Sequence, residues 1–199
     1  MTGKILGLCG LIGSGKGTVA DILVQQGFTK LSFADRLKDG VAAMFGWDRQ
    51  MLEGDTEESR KWREDVDFFW TRELGTEVTP RLVLQLYGTE CMREGFYDGI
   101  WVSLVKQEIL KNPSGNYVIP DVRFQNEIKM IQSLGGQIWR VKRGHDPLWF
   151  SRYIKSNILP NNIHPSEWNW ATSKFDRLVI NDTDKDDLKS QVEDHLASI

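Results

Sequence analysis

Cysteine is nearly absent from the 199 residues: only Cys9 and Cys91 occur. Two distant thiols cannot build a disulfide framework. With only three histidines, they also make a poor zinc site, so a reducing, cytoplasmic setting is expected. Charge of one sign is lacking as well. Twenty-five Lys and Arg face 28 Asp and Glu, a formal charge of -3, which lacks the basic excess of a general nucleic-acid binder. No run reaches the roughly 18 apolar residues of a membrane-spanning helix, so no membrane partner is expected. The apolar stretch 5–12 is short and runs into Gly13-Ser14-Gly15-Lys16 rather than a small-residue cleavage site, so no signal peptide is expected. No G-x-S-x-G string occurs, which removes the nucleophile-elbow hydrolases.

What is present fits an ordinary globular chain. Forty per cent of residues are apolar and 27% charged, enough for a single domain with a real core and room for an insertion. Short apolar runs at 4–9, 28–33, 117–119, 137–141 and 177–180 read as strands. Helical spacing marks 16–26, 35–45, 81–86, 98–110, 127–134 and 184–196. Thr79-Pro80 supplies an N-cap and a first-turn proline. Strands alternating with helices predict an α/β fold, a parallel sheet flanked by helices. Residues 48–77 differ from their surroundings, with ten acidic and five basic residues around Trp62, Phe68, Phe69 and Trp70. They read as a solvated helical insertion or a segment that covers a substrate. Residues 144–170 have three prolines and little period, and read as a long, lid-like loop. Eight tryptophans are unusual, and composition does not say whether they serve core, interface or site.

Gly10-Leu11-Ile12-Gly13-Ser14-Gly15-Lys16 matches the phosphate-loop pattern G-x-x-x-x-G-K between a strand and an amphipathic helix. Glycines let the backbone wrap around phosphate oxygens with successive N–H groups pointing inward. The helix that begins there presents its positive end. Lys16 offers a point charge between phosphates, and a hydroxyl nearby can hold Mg²⁺. The usual Ser or Thr directly after the lysine is replaced by Gly17, and the hydroxyl follows at Thr18. Residues Gly13, Ser14, Gly15, Lys16, Gly17 and Thr18 thereby resemble the loop of nucleoside monophosphate kinases such as adenylate kinase.

Further segments carry a wider likeness. They are Phe33-Ala34-Asp35-x-Leu37-Lys38, then Arg81-x-x-x-Gln85-x-x-Gly88-Thr89-Glu90, then Asp98-x-x-Trp101-Val102. Val118-Ile119-Pro120-Asp121-Val122-Arg123-Phe124-x-Asn126-Glu127 follows. Gly135-Gly136, Val141-x-Arg143, His164-x-x-Glu167 and Asn181-Asp182 complete the set. In order and spacing they resemble the deoxynucleoside monophosphate kinases of tailed bacteriophages across nearly the whole chain, least at 46–78, where that family varies. Ile12 and Gly13 stand where many members carry basic residues, so this loop is closer to the cellular version.

The resemblance implies a P-loop kinase fold, ATP as phosphoryl donor, Mg²⁺, a deoxynucleoside 5′-monophosphate as acceptor, and often a dimer. Physical chemistry gives the residues compatible roles. Arg81 at a helix start is suited to fork onto the acceptor phosphate, unless it is a plain surface arginine. Gln85, Gly88 and Thr89 either line the same pocket or, at Gly88-Thr89, end a helix. Asp121 sits where a parallel strand ends, the place where open sheets bind ligands. It is suited to orient Mg²⁺ through water or to bind the acceptor sugar. The resemblance places Asp121, Arg123 and Glu127 at the nucleotide, while spacing also allows Glu127 simply to pair with Arg123. Trp101 either stacks on the base or belongs to the core. Arg143, after a strand and before the lid-like loop, is placed to stabilise the transferring phosphoryl group, with Arg140 and Arg152 as alternatives. His164 and Glu167 match the family in spacing without an evident role. The competing readings are another P-loop small-molecule kinase, such as a dephospho-coenzyme A kinase, and a nucleotide-dependent switch; no N-K-x-D string supports the latter.

Overall fold

A computed structural model describes residues 3–158, 163 and 165–199. In chain order its elements are β1 (Ile5–Cys9), α1 (Lys16–Gln25), β2 (Thr29–Lys30), α2 (Asp35–Phe45), α3 (Glu57–Trp62), α4 (Phe68–Leu74) and α5 (Pro80–Leu86). A π-helical stretch (Tyr87–Glu94), α6 (Ile100–Lys111), β3 (Tyr117–Ile119), α7 (Gln125–Ser133) and β4 (Gln137–Lys142) follow. The chain closes with α8 (Leu148–Ser156), a 3-10 turn (Pro165–Glu167), β5 (Arg177–Ile180) and α9 (Lys185–Ala197). It forms two compact units, Met1–Ser32 with Val105–Ile199, and Phe33–Leu104.

The first unit is built on a sheet in the order β2-β3-β1-β4-β5, every pairing parallel. All five strands fall where the apolar runs predict them. The sheet centre is continuous with its core: Leu6, Leu8, Val118, Trp139, Val141 and Val179 pack with Val19, Ala20 and Leu23 of α1 and Leu188 and Val192 of α9. Each of these leucines and valines contributes about 1.5–3 kcal/mol when removed from water. The strand order reverses around β1, between β3 on one side and β4 on the other. A crevice at the carboxyl end of β1 is therefore the expected ligand place of an open α/β sheet. Within residues 144–170, Leu148–Ser156 is helical rather than loop. Phe150 and Tyr153 bury its inner face, and Phe150 packs on Trp170 at 5.6 Å.

The second unit gathers α2 to α5 around Val41, Leu52, Val78 and Val83. Its aromatic cluster holds three of the unit's four tryptophans. Phe45 stacks on Trp47 at 4.6 Å, Trp70 meets Phe45 edge-on at 5.2 Å, and Trp62 meets Trp47 edge-on at 5.9 Å. Residues 48–77 lie in this unit and hold α3 and α4. Local side chains start both helices: Thr56 and Ser59 form a capping box, and Asp67 accepts the Trp70 N–H. α5 begins as its sequence predicts, with the Thr79 hydroxyl accepting the Leu82 N–H at 3.2 Å and Pro80 in the first turn. It does not end at Gly88-Thr89. The backbone widens into the π-helical stretch and runs on to Glu94, which replaces the expected helix end. No helix among the described residues is long and apolar enough to cross a membrane.

Candidate active site at the head of the central strand

β1 delivers the chain into the loop 10–15, and α1 starts at Lys16. Gly15 holds φ 94° directly before α1, and no side chain caps the helix; its first N–H groups are therefore left for another acceptor. Asn181, just after β5, braces this turn. Its Nδ2 donates to the Ser14 carbonyl at 3.0 Å, while its own N–H goes to Lys142 at the end of β4. Ser14 is buried, and its hydroxyl has no hydrogen-bond partner among the described residues. An orphan hydroxyl inside a glycine-rich loop matches what a phosphate oxygen would satisfy.

Lys16 folds back onto that loop, its Nζ donating to the carbonyls of Gly10 at 2.8 Å and Leu11 at 2.9 Å. Burial lowers its pKa from 10.5 to about 8; the nearby Arg123 guanidinium adds to the fall, and Glu167 and Asp121 oppose it. One further cation and two carboxylates thus act on the Lys16 charge. Beneath it Cys9 is buried, and burial pushes its thiol up to about 12, so it stays neutral and takes no part as a nucleophile.

Four of the expected residues come together here: Lys16, Asp121 and Arg123 by charge, and Arg143 by shape. Asp121 follows β3 and accepts the Ser32 hydroxyl at 2.6 Å. Arg143 is exposed and lines a cleft of about 200 Å³ with Ile12, Gly13, Ser14, His145 and Asp146. Thr18 is half-buried in the first turn of α1. Arg140, an alternative to Arg143, is already engaged. It pairs with Asp146 at 2.5 Å and lies over the Phe150 ring at 4.6 Å. Arg152 is exposed on α8.

Glu127 departs from expectation. It is 2% exposed, and its Oε2 accepts the backbone N–H groups of Arg123 at 2.6 Å and Phe124 at 2.9 Å. It therefore caps α7 and shapes the turn from inside, rather than presenting a carboxylate to a nucleotide. The Arg123 guanidinium goes to Glu167 instead, at 2.9 Å, which gives Glu167 a structural partner that spacing alone did not reveal. His164 lies outside the described residues.

The remaining candidates belong to the second unit. Arg81 is exposed at the start of α5 and pairs with Glu64 at 2.7 Å. Gln85 and Thr89 are exposed, and Gly88 is buried. A Cβ on Gly88 would stand 3.0 Å from Leu37. Trp101 is 5% exposed and donates its indole N–H to the Gly88 carbonyl at 3.0 Å. Of its two readings, the structure carries the core one.

Comparison with known proteins follows the same lines. No protein-family model matches the chain. A protein of Acanthamoeba polyphaga mimivirus, provisionally named a deoxynucleotide monophosphate kinase, is 32% identical over 202 residues, 94% of this chain and 93% of its own. The chain belongs to the deoxynucleotide monophosphate kinase family. The deoxynucleoside-5′-monophosphate kinase of Escherichia phage T5 is 40% identical over 55 residues, 28% of this chain and 22% of its own. Among solved structures, the Thermus thermophilus protein TT1252 superposes with a TM-score of 0.51 at 18% identity, covering 100% of this chain and 99% of its own, a likeness of fold. This kinase is thus a phosphotransferase on a P-loop scaffold, a parallel five-stranded sheet with flanking helices.

Proposed function

We propose that this kinase transfers the γ-phosphoryl group of ATP to a deoxynucleoside 5′-monophosphate, giving the diphosphate and ADP. The observation that carries the reading is the charge arrangement at the head of β1. Lys16, within reach of the Arg123 charge, folds onto a loop whose buried Ser14 hydroxyl is unsatisfied and whose following helix lacks a cap. Such an assembly suits a polyphosphate, and the family membership directs it to nucleotides.

Phosphoryl transfer needs alignment and charge neutralisation more than covalent help from the protein. In this reading the amides of Gly13, Gly15, Lys16 and Gly17, the Ser14 hydroxyl and the start of α1 bind the donor phosphates. Lys16 neutralises charge on the group in flight. Arg143, at the cleft beside Gly13, contributes from the lid side. Arg123 offers a planar fork to phosphate oxygens at the junction of donor and acceptor. Arg81, Gln85, Gly88 and Thr89 are assigned to the acceptor nucleotide. Asp121, after β3 in the first unit, acts at the Lys16 site by its charge.

Magnesium fits this donor set. No group of three or more His, Cys, Asp or Glu side chains placed to hold a metal occurs among the described residues. Magnesium on a nucleotide keeps water and phosphate ligands and asks little of the protein. The Thr18 hydroxyl would hold it, and the ion would supply charge neutralisation on the phosphates. This reading assigns the reaction to the cytoplasm, the host's if the chain is of phage origin.

The test is direct. The protein is incubated with ATP, Mg²⁺ and each of dAMP, dGMP, dCMP and dTMP, and ADP release is followed. Turnover with at least one of them is expected, and none with all four overturns the reading.

A further inference from the structure

Arg123 is held at both ends by carboxylates. Glu127 takes its backbone N–H, as helix capping requires. Glu167, at the end of the 3-10 turn, takes its side chain: Nη1 donates to Glu167 Oε1 at 2.9 Å and to Ser166 Oγ at 3.2 Å. The same short segment grips Gln125. Asn169 Oδ1 accepts the Gln125 N–H at 2.9 Å, and the Gln125 Nε2 donates to the Asn169 carbonyl at 2.8 Å and to Ser173 Oγ at 2.7 Å. Residues 166–173 therefore fasten residues 123–125 by side chain and backbone together.

The geometry of the fork gives this fastening a purpose. A guanidinium carries five N–H donors in one plane. Here Glu167 and Ser166 occupy Nη1 alone, and the Nε–Nη2 edge makes no hydrogen bond among the described residues. Two donors side by side on one edge are what a bidentate phosphate contact uses. Arg123 also lies near Lys16, and two cations at one site repel each other; a carboxylate within reach of both offsets that repulsion.

We propose that Glu167 is a positioning residue of the phosphoryl-transfer site, which holds Arg123 by Nη1 so that its Nε–Nη2 edge stays open to the phosphate chain above the loop. The inference rests on reading Lys16 and Arg123 as the phosphate site; it is independent of which monophosphate is the acceptor. It assigns Glu167 an action through Arg123 and no contact with substrate.

A double-mutant cycle of wild type, Glu167→Ala, Arg123→Ala and the double variant tests it on two readouts. The first is turnover with ATP, Mg²⁺ and the best deoxynucleoside monophosphate. The second is calorimetric binding of inorganic tripolyphosphate, which needs no base or sugar recognition. Misplacing an aligned group costs up to about 100-fold, so E167A is expected to lower kcat about 10- to 100-fold. Its KM values should change less than about threefold, the mark of an interaction made mainly in the transition state. Tripolyphosphate binding should weaken about two- to threefold, the small ground-state part of the same contact. In the R123A background the same change should cost less than about twofold on either readout, because coupled residues do not add. E167Q, which keeps an acceptor oxygen without the charge, should fall between wild type and E167A, and it replaces E167A in the cycle if that variant fails to fold.

Losses that multiply in the double variant overturn the proposal, as does an E167A protein within about twofold of wild type on both readouts. Tighter tripolyphosphate binding by E167A also overturns it, since Glu167 would then be competing with the anion. Should wild type phosphorylate none of the monophosphates, the kinase reading fails and the tripolyphosphate cycle alone decides this one.

Discussion

Asn181 closes the phosphate loop against Gly15: its side-chain amide donates to the Ser14 carbonyl at 3.0 Å and stands 2.1 Å from where a Cβ on Gly15 would lie. Gly15 also holds φ 94°, a region that side chains other than glycine enter at a cost. Two independent penalties therefore meet at one position. Gly15→Ala is expected to destabilise the protein by about 1–3 kcal/mol and to weaken ATP binding, because Asn181 must move and the loop with it. Adding Asn181→Ala should recover part of the loss, the steric part, and leave the backbone part. Thermal melting and ATP titration of the three variants check this. Full recovery in the double variant would mean that the backbone angle costs nothing.

Lys16 makes the activity pH-dependent on the alkaline side. Its pKa is lowered to about 8, chiefly by burial. Phosphoryl transfer needs the ammonium, so the competent form exists below that pKa and is lost above it. kcat/KM, which reports the free enzyme, should fall about tenfold per pH unit above pH ~8. Bound phosphates favour the charged lysine, so the limb in kcat should lie at higher pH. A kcat/KM profile flat to pH 10 would contradict this. Lys16→Ala should lower kcat by orders of magnitude without changing the fold, as charge stabilisation is among the largest catalytic terms.

The inner strands of the sheet were legible in the sequence because buried parallel strands read as short apolar runs, and the loop because its glycines, lysine and context occur together; β2, exposed Thr29–Lys30, was marked only by the apolar residues beside it. Asp35–Phe45 and Pro80–Leu86 were legible from spacing and caps. What stayed hidden depends on residues far apart in the chain. Asn181 stands out in the sequence as part of the family likeness, and only folding brings it to Ser14. Glu127 carries the spacing of a salt bridge to Arg123, yet its carboxylate is taken by backbone N–H groups once α7 starts at Gln125. The π-helical stretch was hidden because Gly88-Thr89 looks like a stop. The chain continues there with Gly88 buried and its carbonyl accepting the Trp101 indole, and neither fact is local. Trp139 and Trp170, unassigned by composition, are fully buried core.

Arg81 is the residue on which the acceptor assignment turns. Its pairing with Glu64 is on the surface, both side chains being more than half exposed, and such pairs contribute at most about 1 kcal/mol. Arg81→Ala should therefore leave the melting temperature nearly unchanged. If Arg81 binds the acceptor phosphate, the variant raises the KM of the monophosphate by tenfold or more while the KM of ATP stays near wild type, since a charged hydrogen bond is worth about 1.5–3 kcal/mol. A rise confined to the ATP KM would move Arg81 out of the acceptor site.

Glu127 and Glu167 reach Arg123 from opposite ends, and their variants should separate on stability. The Glu127 carboxylate is buried and accepts two backbone N–H groups; removing it leaves both donors without that acceptor in a place water reaches poorly. Glu127→Ala is expected to cost about 2–4 kcal/mol, the loss of two hydrogen bonds to a charged group, and to lower the melting temperature by several degrees. Glu127→Gln, which keeps one acceptor oxygen, should lose roughly half as much. Glu167 is partly exposed and binds a side chain that water also reaches, so its variants should melt close to wild type while losing turnover. Chemical denaturation of the Glu127 and Glu167 variants beside their kcat values separates the two roles. Equal stability losses at 127 and 167 would show that both carboxylates are structural and that Arg123 is not set by its side-chain partner.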